Sequence, residues 1–397
     1  MSTLIEISCR DPIVSRDGRP FGLGAGTRMR SAGWPLPSMV AGSFRTALAK
    51  AAEKDFSTAN AELLRQVSVC GLFPAAVPKD GASPTLYLPA PLDAVGAPEK
   101  TIIRSRPEAL TDGEGCDFPH PNLLPVLLDS HGANPAFKPE PVPAWWPVDQ
   151  YAQWLAADAI KFDQRFLGTP KTDARTHVKI SSETGAAGDG DLFSTTSLVL
   201  SRLPVWGSKS ENFGDRYRPI SLISRAGAAT DPALQTALGT LNIISPLGGE
   251  RRGAHWKASA ENLNSLWQCP NIIADKLATA KRIRMVLATP AIFTHGWRPG
   301  WLDNDLIGTV PGTTVNVKLV AYAGKRWHAV SGWSLANLPG QPRGPKPVRR
   351  LVPAGAVFFF ECVGTSPTGL AGRWLESVAD EEQDQRDGFG LATWGIW

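Results

Sequence analysis

The amino-acid sequence predicts an α+β fold in which antiparallel sheet carries helices on one face. Three observations predict it. Short apolar runs of strand length recur in both halves of the 397-residue chain, Leu4–Cys9 and Val357–Cys362 among them. Helical periodicity is scarce and confined to a few stretches. Glycine and proline are abundant, at 38 and 34 residues, which implies many loops between short elements. The length holds two ordinary domains, and 43% apolar residues make the chain globular.

In chain order, Leu4–Cys9 alternates as a strand and runs into turn signals at Asp11-Pro12 and Arg16–Pro20. A loop of small residues, 22–33, carries Arg28 and Arg30. Ser38 then caps a helix from Met39 to Lys54, with Phe44 and Leu48 on one face. The proline-rich stretch 75–147 holds short strands at Leu86–Leu88 and Lys100–Arg104. Val148–Lys161 reads as a helix with Tyr151, Leu155 and Ala159 inward. His177–Ile180 and Leu192–Leu200 read as the arms of a projecting hairpin joined by Gly185–Asp191, and Leu198–Val205 as a buried strand. In the second half, strands are expected at Arg284–Leu287, Thr314–Tyr322, Arg326–Trp333, Val357–Cys362 and Leu391–Trp397. Ala323-Gly324-Lys325 would join two of them as a hairpin. Helices are expected at Asp231–Gly239, Ala258–Leu266 and Ala371–Asp380, and the two halves divide at residues 215–216.

Composition narrows the functional classes. The five cysteines are far apart and form no CxxC pair, so isolated reduced thiols are expected and no metal centre. No basic-then-apolar leader opens the sequence, and no uncharged stretch reaches the roughly 20 apolar residues that span a bilayer. A cytoplasmic setting without a membrane partner is therefore expected. The net charge of +4 permits a nucleic-acid partner without demanding one. Fourteen tryptophans, with clusters at Trp145, Trp146 and Trp154 and at Trp297 and Trp301, suit a core, a subunit contact or base stacking.

Three basic segments stand beside glycines: Arg10, Arg16, Arg19, Arg28 and Arg30, with Arg45 on the helix behind them; Gly248-Gly249-Glu250-Arg251-Arg252; and Arg343, Lys346, Arg349 and Arg350. Each alone reads equally as a solvated face. Together they favour a surface that holds an RNA backbone, because glycine lets the chain approach and arginine forks onto phosphate. Enzymatic signatures are missing: no two histidines have zinc-motif spacing, and neither GxSxG nor a phosphate loop occurs. Asp189 and Asp191 could take a divalent ion but equally solvate a polar hairpin. His177 could act as a general base or as a surface donor.

Several of these segments, in order, resemble one family, the third subunit of Cmr (type III-B) CRISPR RNA-silencing complexes, within the repeat-associated mysterious protein (RAMP) superfamily. They are Asp11-Pro12-Ile13-Val14-Ser15-Arg16-Asp17-Gly18-Arg19-Pro20-Phe21, Pro35–Arg45, Arg175–Ile180 with Thr184–Ala186 and Asp189–Phe193, Leu247–Arg252, Thr289–Phe293 with Gly296-Trp297, Val352–Phe358 and Gly388–Ala392. The resemblance implies two ferredoxin-like (RRM-type) domains with extensive loop insertions, at 1–215 and 216–397, and a thumb-like hairpin at about 168–195. It implies a non-catalytic protein without cofactors that holds the repeat-derived 5′ handle of the guide RNA. Implied partners are the large polymerase/cyclase-type subunit, an adjacent backbone RAMP subunit and target RNA near the handle junction. Carried over, the RNA-binding candidates are Arg16, Asp17, Gly18, Arg19, Arg45, His177, Lys179, Gly248, Gly249, Arg251, Arg252 and Gly355. The alternatives are a guide-processing endoribonuclease of the same superfamily, a handle-binding subunit of a Csm (type III-A) complex, and an adaptor that uses its tryptophans to dock on protein.

Overall fold

The computed structural model describes residues 2–19, 27–76, 84–128, 137–227, 231–259, 263–334, 337 and 342–397. Pro20 and Phe21 of the opening motif lie outside them, as do the side chains of Asp189 and Asp191. β1 (Ser2–Cys9) leads to β2 (Thr27–Met29) and α1 (Pro37–Ala51). β3 (Val69–Ala76) and β4 (Thr85–Pro89) precede an excursion that includes β5 (Trp145–Pro147) and α2 (Val148–Leu155). β6 (Lys171–Ile180) and β7 (Ala187–Val199) pair as a hairpin. β8 (Ser221–Gly227), α3 (Pro232–Gly239), β9 (Asn242–Pro246) and β10 (Gly253–Ala258) follow. The remainder supplies β11 (Arg282–Leu287), β12 (Ile307–Thr309), β13 (Asn316–Ala323), β14 (His328–Val330) and β15 (Arg349–Leu351). It ends with β16 (Val357–Cys362), β17 (Glu376–Ser377), α4 (Glu382–Arg386) and β18 (Leu391–Ile396).

The fold is mixed α+β with two main antiparallel sheets. The first has the order β9-β10-β1-β8-β3-β4-β5 and the second β12-β13-β16-β11-β18-β17. Sheet membership changes later than the expected division at 215–216: residues 221–258 still extend the first sheet, and the second begins at Arg282. One apolar core runs through both. The tryptophan clusters belong to it, with Trp146 and Trp154 edge to face at 5.6 Å and Trp301 5.9 Å from Phe360. All five cysteines are free, and burial pushes the Cys9 thiol up to about 12.

Local departures from the expected elements have local causes. Pro37 opens α1, its φ preset for a helix, so Leu36 rather than Ser38 is the cap residue. Val40, Ala41, Phe44, Ala47 and Leu48 make the buried stripe, worth about 1.5–3 kcal/mol for each large side chain. α2 stops early because Ala157 adopts φ 66°, outside the helical region. The segment expected as one strand, 326–333, does not pair with β13. Val330 and Leu351 instead bury in a small satellite core with Leu36, Ile292 and Phe389, which draws β14 to β15. Residues 371–380 form a 3₁₀ turn and β17 in place of the expected helix.

The hairpin of β6 and β7 is present and extends further than its apolar residues indicated. Its foot is fixed, since β7 runs parallel to β2 and Leu198 pairs with Ile13. Its apex is exposed: residues 182–188 face solvent, and Ala187↔Ile180 is the last ladder pair before the register shifts. Deleting Glu183–Asp191 is therefore expected to change stability by no more than about 0.5 kcal/mol in urea titration. A larger loss would mean that the apex packs against the body.

Candidate nucleic-acid interface

The first basic segment is a loop threaded between the hairpin foot and the glycine-rich turn. Ile13 exchanges backbone hydrogen bonds with Leu198, at 2.8 Å each, and Gly249 N–H donates to Val14 O at 2.9 Å. With Ile13, Val14 and Ser15 buried, Arg16 and Arg19 are turned outward. Asp17 shapes the loop: its carboxylate accepts the Arg19 N–H at 3.1 Å and pairs with the Arg19 guanidinium at 3.4 Å. Gly18 lies against β14, where a Cβ would stand 2.8 Å from Ala329 O.

The second segment is anchored from beneath. Gly248 has φ 77°, donates its N–H to Ser43 Oγ at 3.1 Å, and leaves no room for a side chain, since a Cβ would meet Val14 O at 2.4 Å. Glu250 and Arg251 both take left-handed backbone, φ 58° and 54°, a conformation rare outside glycine. This turn exposes Arg251, while Arg252 pairs with Glu250 at 2.7 Å. Among the described residues, the Arg252 Nε is buried with no acceptor.

Beside them, β2 carries exposed Arg28 and is followed directly by exposed Arg30, and Ser31 Oγ donates to Thr196 O at 2.6 Å. On β6 the His177 ring stacks on Phe193 at 5.1 Å with 17° between planes, and its Nε2 lies 2.9 Å from Thr195 Oγ1. Lys179 is exposed two residues further out.

The third segment divides. Arg350 is exposed on β15 opposite Ala329, the residue that meets Gly18, so it joins the same surface. Arg349 turns to α4 and grips Asp384 with two hydrogen bonds of 2.8 Å. Burial still raises the Asp384 pKa, outweighing the lowering by Arg349. Burial likewise lowers that of Lys346.

Two candidates lie elsewhere. Arg45 is buried: its guanidinium donates to Val67 O at 3.1 and 2.7 Å, to Asp387 at 2.6 Å and to Arg386 O at 3.3 Å. It ties α1 to α4 instead of facing solvent. Gly355, φ 85°, is buried where a Cβ would meet Ala90 O at 2.4 Å. The structure therefore gathers Arg16, Asp17, Gly18, Arg19, Gly248, Gly249, Arg251 and Arg252 around the hairpin foot, with His177 and Lys179 on the hairpin itself.

Sequence reasoning missed Trp327. It is 44% exposed, with the Arg350 guanidinium 4.7 Å and that of Arg326 6.0 Å from its ring centroid. The run Arg326-Trp327-His328, basic and aromatic together, was the available signal. Among the described residues, no group of three histidine, cysteine or acidic side chains is placed to hold a metal ion, and no helix is long and apolar enough to cross a membrane.

No curated protein matches the sequence. Among solved structures, the chain is similar to chains from the type III-B Cmr-beta complex bound to cognate target RNA, with and without AMPPnP. Identity is 12% with AMPPnP and 13% without it, the TM-score is 0.45 in both cases, and 90% of this chain and 86% of the other are covered. It is also similar to a chain of a Csm3-Csm4 subcomplex of the type III-A interference complex, at 8% identity and TM-score 0.36, over 90% and 92% of the two chains. The sequence matches the family described as CRISPR-associated protein (Cas_Cmr3) over residues 5–397. That match spans every element of both sheets beyond the first residues of β1, and the chain belongs to this family of CRISPR-associated proteins.

Proposed function

We propose that the protein is a non-catalytic RNA-holding subunit of a type III-B CRISPR effector complex, gripping the repeat-derived 5′ handle of the guide RNA. The observation that carries the reading is the convergence of chain-distant basic loops, residues 16–19, 28–30 and 251–252, around the foot of one hairpin. A single strand offers phosphates and 2′-hydroxyls, which outward arginines on tightly anchored glycine turns can hold. The large polymerase/cyclase-type subunit and a backbone RAMP subunit are the protein partners in this reading, and family membership supports that setting. Target RNA would meet the hairpin near the handle junction. The engagement of His177 by Phe193 and Thr195 supports a structural role for that histidine over a general base.

In the same reading each half is a ferredoxin-like (RRM-type) unit. Strand order supports it: β10-β1-β8-β3 lie side by side with α1 after the first strand and α3 after the third, a β-α-β-β-α-β succession. The second sheet repeats that order as β18-β11-β16-β13. A 3₁₀ turn at Pro367–Arg373 stands for its second helix, and no helix lies between β11 and β13.

The test is titration of a labelled guide RNA carrying the handle. The double replacement Arg251→Ala and Arg252→Ala is expected to weaken binding and to flatten the dependence of log K on log salt by about 0.7 for each phosphate no longer neutralised. Unchanged affinity and slope would put this turn off the RNA path.

A further inference from the structure

We propose that Trp327 is a base-stacking site, one unpaired base of the bound RNA lying on its indole face while Arg350 and Arg326 meet the neighbouring phosphates. The proposal rests on the RNA-binding reading above and adds a subsite to it. Most tryptophans of this chain fill the core, whereas Trp327 stands 44% exposed in the stretch between β13 and β14. Its surroundings are cationic: Arg350 is 4.7 Å and Arg326 6.0 Å from the ring centroid, and Lys325, Arg326 and His328 are all exposed. A cation over an indole is attracted to its π-face, so the ring is braced before any ligand arrives. An exposed aromatic surface framed by cations suits a nucleotide, which brings a π-face and a phosphate together.

Position adds the second argument. Trp327 directly precedes β14, whose Ala329 touches Gly18 in the loop that carries Arg16 and Arg19. β14 itself is held down by Val330 in the satellite core, beside Leu36 at the start of α1. The indole is thus mounted on the rigid side of the surface formed by the first basic loop, continuous with the proposed phosphate path. Tryptophan and arginine are also enriched at protein interfaces, so the experiment includes docking on a protein as an outcome.

The experiment uses the full chain and a fluorescein-labelled single-stranded guide RNA, together with a series in which one nucleotide at a time is made abasic. Trp327→Ala is expected to weaken binding about tenfold with its salt slope unchanged, since stacking and no ion pair is lost. Trp327→Phe should retain most of the affinity. One abasic position should cost the unaltered chain the same factor and cost Trp327→Ala nothing more. Unchanged melting of the variant would exclude misfolding, and if Trp327→Ala does not fold, the abasic series on Trp327→Phe decides the same point.

Full affinity in Trp327→Ala overturns the stacking site, and leaves handle binding standing if the Arg251 and Arg252 replacement still weakens it. Weakening with a smaller salt slope and no sensitive abasic position also overturns it, because the ring would then only position Arg350. Unchanged RNA affinity with lost co-assembly would make Trp327 a protein-docking residue instead. Absence of RNA binding by the unaltered chain, alone and in its assembled complex, would remove both readings.

Discussion

Asp93→Ala is expected to lower stability by about 3–5 kcal/mol, because it strands a buried guanidinium. Asp93 and Arg284 form an ion pair with no exposed side-chain surface. Asp93 lies just after β4, within the first sheet's long excursion, and Arg284 lies on β11 of the second sheet. The pair is completed by Trp154, whose indole N–H donates to Asp93 at 3.0 Å and whose carbonyl accepts from Arg284. Arg104 covers the same tryptophan ring at 4.0 Å and donates to the carbonyls of Trp154, Ala157 and Asp158. Removing the carboxylate leaves Arg284 charged, without exposed side-chain surface and with the neutral Trp154 carbonyl as its acceptor. Urea unfolding followed by circular dichroism and by tryptophan fluorescence checks this. The midpoint should fall with little change in slope, and a loss under about 1 kcal/mol would contradict it. The paired replacement Asp93→Leu with Arg284→Met should recover much of the loss, since it is the lone charge and not the absent pair that destabilises.

Gly248→Ala is expected to reduce RNA affinity more than Arg251→Ala does, although it removes no charge. Left-handed backbone costs a non-glycine residue about 1–2 kcal/mol, and here the added carbon would sit 2.4 Å from Val14 O. Relief requires the turn to lift from Val14, which breaks the Gly249 N–H bond to that carbonyl and moves Arg251 with it. Gly249→Ala is the comparison: its nearest neighbour is the Val14 Cγ1 at 3.2 Å, and its backbone is not left-handed, so its effect should be milder. Titration of the handle-bearing RNA against both variants, with melting as the control for folding, measures the difference. Equal effects at the two glycines would show that the turn is held by something other than its fit over Val14.

Much of the fold was legible because it is written in short-range pattern. The alternation of β1, the apolar density of β16 and the four-residue spacing on α1 each need only a few neighbouring residues. The hairpin was legible too, though Lys171–Arg175 carries too little apolar content to mark its full length. What was not legible depends on partners far along the chain. Arg45 reads as a surface cation until Asp387 is brought to it, 342 residues away. Arg349 reads as part of a basic run until Asp384 takes it. Gly355 resembles a ligand-approach glycine, and the chain it approaches is Ala90. Charge and glycine content say that a close approach or a counter-charge is needed, and only the tertiary fold says whether RNA or protein supplies it.

The position of β1 has a consequence for biosynthesis. Its two sheet neighbours are β8 and β10, so β1 pairs only with segments more than 200 residues downstream of it. At about 5–20 residues per second, both of its edges stay open for roughly 10–50 s after it emerges. β1 is in that interval an apolar strand without a ladder, the kind of segment that draws chaperones or pairs with the wrong chain. Closure of the first sheet is therefore a late event in translation, timed by the arrival of Gly253–Ala258, and slowing synthesis ahead of that point would lengthen the exposure.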